Sequence, residues 1–275
     1  MNGELGHPNA PEQIRILHIW NITGSGSTIS KFMDKTYKTH SWVITRKKFD
    51  PWEHTLYGET SILGAKLFTL KALILARRYD ILHVHAFDKI VPYLKLIYPN
   101  KKILLHYRGV DIRGLWDSRV KYWNKADIVC VSTEDLLEGA PPGIRYIPRA
   151  VDTDVFYPRG VSETGTAFHT SYDADELAIK YAEEHNLSLT INDRFENPIK
   201  YTKFGETLSK YEYYIDVKRS HGKLLDVLSK TGLEALACGL YVIRRDGKIV
   251  KDLPVKHIPE YVVKIIYKIY LEILK

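Results

Sequence analysis

Asp226-Val227-Leu228-Ser229-Lys230-Thr231-Gly232-Leu233-Glu234-Ala235-Leu236-Ala237-Cys238-Gly239-Leu240-Tyr241-Val242-Ile243 reads as a short helix followed by a buried strand. Leu233, Leu236, Ala237 and Leu240 recur at helical spacing and give the helix one apolar face. Ser229 or Thr231 can cap it, Gly239 ends it, and Tyr241-Val242-Ile243 has the unbroken apolar character of a strand covered on both sides. A helix start presents unpaired N–H groups and the positive end of a dipole, which suits a phosphate or diphosphate. Lys230 adds a cation there, and Gly232 leaves the backbone open to an anion. The same residues have a plainer reading. Thr231 and Glu234 stand at the S/T-x-x-E spacing of a capping box, and one Glu can serve both purposes.

Upstream, apolar runs at 14–20, 41–45, 80–85, 102–106 and 126–132 read as strands, and 63–78 has helical spacing. That alternation predicts a parallel, doubly wound α/β sheet. Pro, Asp and Thr cluster at 148–160, where a linker is expected. A second series follows, with strands at 166–169, 187–191 and 213–217, a helix at 173–185, and a turn at Ser220-His221-Gly222. The domains are therefore expected at 13–150 and 151–258, after a loose tail of residues 1–12. Residues 259–275 form a final helix with Lys264, Lys268 and Glu272 in one polar stripe. Its wide apolar face needs cover from the first domain, from a second copy or from a membrane surface.

At 275 residues the chain can bury two cores. Its net charge of +7 favours anionic partners: nucleotide phosphates, acidic lipid headgroups or nucleic acid. Nucleic acid is the least favoured, because Arg46-Lys47-Lys48 is not interleaved with aromatics and no helix-turn-helix, RRM or zinc motif accompanies it. Cys130 and Cys238 are the only cysteines, too few for a disulfide framework, and both fall in apolar runs as buried thiols. With no apolar run long enough to span a bilayer and no leader pattern, a cytoplasmic location is expected, with membrane contact at the inner face. The loop Thr23-Gly24-Ser25-Gly26 joins the first strand to a helix at 29–34, as a tight turn or a phosphate cradle. His83, His85 and His106 end two strands, where open α/β sheets place ligands. His83 and His85 share one strand face, which is also metal-ligand geometry, but no third ligand of suitable spacing accompanies them. Hydrogen-bonded histidines and no metal are the expectation.

The 226–243 run resembles the donor-site signature of GT-B glycosyltransferases similar to glycosyltransferase family 4. In that signature an acid, seven residues and a Glu lead into a helix ending Ala-Cys-Gly. Asp226 stands where the family usually has Glu, and the run Glu234 to Gly239 is intact. Ile81-Leu82-His83-Val84-His85 resembles the family's Asp-Val-Val-His-x-His stretch, and His106-Tyr107-Arg108-Gly109-Val110-Asp111 its His-Gly-x-Asp turn. Residues 147–158 resemble its interdomain Ile-Pro-Asn-Gly-Val-Asp-x-x-x-Phe-x-Pro, with Arg149 and Ala150 in place of Asn and Gly.

The resemblance implies a GT-B fold, two Rossmann-like domains facing a central cleft, with the second domain truncated. It also implies retaining, metal-independent transfer from a nucleotide-diphosphate sugar to a glycan, lipid-linked or protein acceptor. Glu234 would hold the ribose, Asp226 the sugar, and His106 and Arg108 would lie near the transferred group. The other reading of Arg108 is an ion pair with Asp111 or Asp117. Gly24, Ser25 and Gly26 would floor the cleft, and Ser229, Lys230, Thr231 and Gly232 would meet the diphosphate. One departure is serious: the family's Arg/Lys clamp in the first loop of the second domain is replaced by Asp173, Asp175 and Glu176. Lys218, Arg219, Lys223 and Lys230 are the candidate replacements, with Arg149 at the crossing. Loss of that clamp also fits a degenerate subunit that binds a sugar or nucleotide without turnover.

Overall fold

In the computed structural model, which describes residues 13–160, 162–171, 173–220 and 222–275, the first sheet is built from seven parallel strands. The tail 1–12 and His221 lie outside the described residues. The chain runs β1 (Arg15–Ile19), α1 (Ser25–Tyr37), β2 (His40–Arg46), β3 (Glu59–Ser61), α2 (Ala65–Ala76), β4 (Ile81–His85), α3 (Val91–Ile97), β5 (Lys102–Tyr107), α4 (Trp116–Trp123), β6 (Ile128–Val131) and β7 (Arg145–Tyr146). In space the strands lie β3-β2-β1-β4-β5-β6-β7. The winding reverses between β1 and β4, and such a switch point opens a crevice at the carboxyl ends of the strands.

Alternation along these strands feeds two apolar layers. Leu17, Leu82 and Leu105 face Phe68, Leu94 and Trp116 on one side, while Ile16, Ile81 and Leu104 face Phe32 and Met33 on the other. α1 begins at Ser25, earlier than the expected 29–34, because Gly24 takes a left-handed φ of 78° that turns the chain directly from loop into helix.

The second lobe has β8 (Glu163–Thr170), α5 (Asp175–Glu184), β9 (Ser188–Asn192), α6 (Tyr201–Leu208), β10 (Tyr211–Asp216), a hairpin of β11 (Arg219–Ser220) and β12 (Lys223–Leu224), α7 (Lys230–Ala237), β13 (Tyr241–Arg244) and β14 (Ile249–Val250). Its five-stranded sheet is ordered β14-β13-β10-β8-β9, parallel except for β14. α6 has no side-chain cap at its start, so no start signal marked it in the sequence.

α8 (Pro259–Ile273) returns to the first lobe. Val262, Val263, Ile266 and Tyr270 are buried against Ile29, Phe32 and Met33 of α1, and Arg145 holds Glu272 at 2.6 Å. Burial of each large apolar side chain is worth about 1.5–3 kcal/mol, enough to decide what covers this face. The first lobe covers it. The outgoing and returning crossings are laced together: the Val151 N–H donates to His257 O (3.1 Å), and His257 Nδ1 lies 2.9 Å from Arg149 O.

Candidate functional site

Between the lobes lies a cleft of about 430 Å³, lined from both sides by residues at or beyond the carboxyl ends of the strands. From the first lobe come Trp20 after β1, Trp52 and His54 after β2, and Arg108 after β5. The second lobe supplies Arg194 after β9, Asp216 and Lys218 at the end of β10, and the start of α7.

The start of α7 is held from below. Ser229 is extended and its side chain accepts the Gly232 N–H at 3.0 Å, so Ser229 is the cap and the Thr231–Glu234 capping box does not form. Asp216 Oδ2 accepts the Ser229 N–H at 2.7 Å, a carboxylate placed against the positive end of the helix. Burial raises the pKa of Asp216, opposed by its bonds to Ser229. Gly232 is required here: a Cβ on it would lie 2.3 Å from Asp216 Oδ2. Its role is close packing against that carboxylate, and the expectation that it opens the backbone to an anion is corrected. Lys230 and Thr231 carry the first amides of the helix, which have no intrahelical acceptor.

Arg108, Arg113, Arg149, Arg194, Lys218 and Lys230 line the cleft against three carboxylates, Asp111, Asp216 and Glu234. Burial and the neighbouring Arg149 charge pull the Arg108 guanidinium down to about 9. Burial, with Arg149 and Arg194 close by, brings Lys218 down to about 8. Burial also lowers Arg149. These shifts record like charges crowded in a poorly solvated space, a condition that an anionic ligand relieves.

The positive charge is fixed by neutral partners as well. Arg149 Nη2 donates to Arg108 O at 2.8 Å, and Arg108 Nη2 donates to His85 Nδ1 at 2.6 Å. Asp111 is taken up by the backbone N–H groups of Arg108 and Gly109, so the Arg108 side chain pairs with neither Asp111 nor Asp117. Glu234 is buried, with Lys230 Nζ at 2.8 Å and the Tyr201 hydroxyl donating to it at 3.2 Å.

Of the residues marked in the sequence, Arg108, Arg149, Lys218, Ser229, Lys230, Thr231 and Glu234 meet in this cleft. The others are elsewhere. Asp226 is exposed, with its carboxylate bound to Arg244 (3.0 Å) and Arg245 (2.8 Å), because the hairpin β11–β12 carries it past the cleft. Arg219 is drawn to the start of α5, where it pairs with Glu176 at 2.5 Å. Lys223 is exposed on the hairpin. Ser25 is buried, Gly24 packs against His54, and a Cβ on Gly26 would meet His85 Nε2 at 3.3 Å. Ile22 and Thr23 are the parts of that loop that reach the cleft.

His106 is fully buried beneath the floor, stacked with His83 and His85, with His18 beside these two, on the face covered by α1 and α8. Potential ligand atoms of His18, His83 and His85 lie within 4.8 Å of one another. His18, from β1, is the third histidine that no spacing along the chain revealed. Most of the nitrogens are joined in a relay, His18 Nδ1 to His85 Nε2 at 3.0 Å, His83 Nδ1 to the Tyr270 hydroxyl at 2.6 Å, and His85 Nδ1 to the Arg108 cation, while His18 Nε2 is buried with no partner among the described residues. Burial drives all four histidines to low pKa, His18 to about 3, so they stay neutral. The cluster is suited to aiming Arg108 at the cleft. A divalent ion there would face the guanidinium.

Several lining residues carried no motif. His54 is one of them: buried Asp50 accepts its backbone N–H (2.7 Å) and lies 3.1 Å from its Nδ1, which leaves the other ring nitrogen as the proton acceptor. Arg194 and Asp216 stood at or just beyond strand ends, and position on an α/β sheet was the available signal. Trp52 and Tyr201 had none.

No family profile and no curated protein matches this sequence. Solved structures do. AviGT4, a glycosyltransferase involved in avilamycin A biosynthesis, superposes with a TM-score of 0.60 over 94% of this chain and 98% of its own, at 12% identity. Sucrose-phosphate synthase from Thermosynechococcus elongatus matches with a TM-score of 0.53 over 84% of this chain and 81% of its own, at 14% identity. Likeness at such identity speaks to architecture, and together with the paired sheets it shows that this chain has the GT-B fold.

Proposed function

We propose that the protein transfers a sugar from a nucleotide-diphosphate sugar to an acceptor hydroxyl. The observation that carries this reading is the set of cations crowded around the open end of α7, inside a cleft between two lobes. In such a reaction the bond from the anomeric carbon to the diphosphate breaks, and negative charge grows on the leaving oxygen. Preorganised donors lower that barrier most. Arg108, Arg149 and Lys218, with the first amides of α7, are the groups available to the diphosphate, and Glu234 is available to the ribose. These cations can supply the charge that a metal supplies elsewhere, which supports metal-independent transfer. Retention of configuration follows from the family signature: the acceptor oxygen bonds the anomeric carbon on the face the diphosphate leaves, and its proton passes to the departing phosphate.

Asp226, turned out to Arg244 and Arg245, favours a second reading, binding without turnover. One experiment separates them. Calorimetry with UDP-, GDP- and ADP-hexoses should find one that binds, and Arg149→Met should weaken that binding roughly tenfold or more. Release of nucleoside diphosphate by the wild type, lost in Glu234→Ala, supports transfer. Binding with no release across a broad acceptor panel supports the second reading, and no binding at all removes both.

A further inference from the structure

A helix lying on a sheet ordinarily keeps polar residues on its outer side. α2 does not. Phe68, Ala72 and Ala76 are buried on the sheet, yet Leu67, Leu70 and Ile74 on the outside are more than half exposed, and Ile62 just before the helix is 91% exposed. α3 lies alongside, joined by the Tyr98 hydroxyl donating to Leu73 O at 3.0 Å. Its outer residues Tyr93, Leu96 and Ile97 are at least half exposed too. Single apolar residues on a surface need no explanation, but a patch spread over two adjacent helices marks an interaction surface.

Charge selects the partner. Residues 62–102 hold eight lysines and arginines and two carboxylates. Both carboxylates are engaged, Asp80 by Arg15 and Asp88 by Arg119. Lys66, Arg77, Arg78 and Lys89 are exposed and form no ion pair among the described residues. Arg46 Nε donates to Leu63 O at 3.0 Å, which brings exposed Lys47 and Lys48 beside the start of α2. A second copy on this face would set these cations against themselves. An anionic bilayer offers phosphates to the cations and an acyl boundary to the leucines, isoleucines and tyrosine.

We propose that the α2–α3 face docks on the surface of an anionic lipid bilayer, with both helices in the headgroup plane. No helix among the described residues is long and apolar enough to cross a membrane. The patch begins at Ile62, one residue past the carboxyl end of β3, and runs along both helices. This surface is separate from the cleft and does not depend on the transferase reading.

Co-sedimentation with phosphatidylcholine vesicles, with and without a third of phosphatidylglycerol, tests it. The wild type should pellet with the anionic vesicles only, and progressively less as salt rises. L70D/L96D should bind roughly tenfold or more weakly, with an unchanged melting temperature since both side chains are exposed. K66E/R77E should weaken binding as well, through charge alone. Three results overturn the proposal: no sedimentation with anionic vesicles, sedimentation of L70D/L96D equal to wild type, or a dimer that this variant disperses while vesicles are ignored.

Discussion

Lys218 shows how a single residue reports on the cleft. Burial and the Arg149 and Arg194 charges hold its ammonium down to about 8, against 10.5 for an ordinary lysine. A bound diphosphate reverses the sign of its surroundings and restores the proton. Nucleoside-diphosphate affinity is therefore expected to fall as pH rises through about 8, and binding near that pH should take up a proton. Calorimetry in buffers of different ionisation heat measures this directly, and an affinity flat from pH 7 to pH 9 would remove Lys218 from the anion site. In the unliganded protein the sign is opposite. Between about 8 and 10.5 the unfolded chain binds the extra proton, so this group adds stability as pH rises through that window. Gly232 makes a second point at this scale. It looked like an approach for an anion and is instead the approach of Asp216, so Gly232→Ala should loosen α7 and lower stability, read as a reduced urea midpoint.

Among the elements, α7 and α8 divide site from scaffold. α7 was readable residue by residue, since its apolar spacing and Gly239 stop are local; its cap was ambiguous because Ser229 and Thr231 are both competent. The bond from the Ser229 N–H to Asp216, thirteen positions away, helps hold Ser229 as the cap. α8 belongs to the first lobe although it follows the second. Ile266→Ala, at a fully buried position between α8 and α1, should cost about 2–5 kcal/mol in urea unfolding. Leu70→Ala, on the exposed side of α2, should change stability by about 0.5 kcal/mol or less. Equal losses would mean that the outer face of α2 is covered within the molecule.

At the scale of the whole molecule, the lobes touch beside the cleft as well as at the crossings. Trp52 Nε1 donates to Arg194 O at 3.2 Å, the Tyr201 N–H donates to Trp52 O at 2.8 Å, and the Arg194 guanidinium lies 5.3 Å from the Trp52 ring. Trp52→Ala removes the ring that bridges the lobes. Nucleotide-sugar affinity should drop roughly tenfold, with urea stability little altered because each lobe keeps its own core. Tryptophan fluorescence on adding nucleotide checks it. The amino-acid order alone determined the alternation of strands and helices, hence an α/β chain with paired sheets, because backbone periodicity and glycine stops act over a few residues. It also named Glu234, Lys230, Arg149 and Arg108, each attached to a short motif. Tertiary structure alone decided that Asp226 and Arg219 turn away, that His106 lies under the floor, and that Arg113, Arg194, Asp216, Trp52 and His54 join the site. Those outcomes depend on which loops converge, and convergence is set by how two sheets pack across a cleft, which no local spacing encodes.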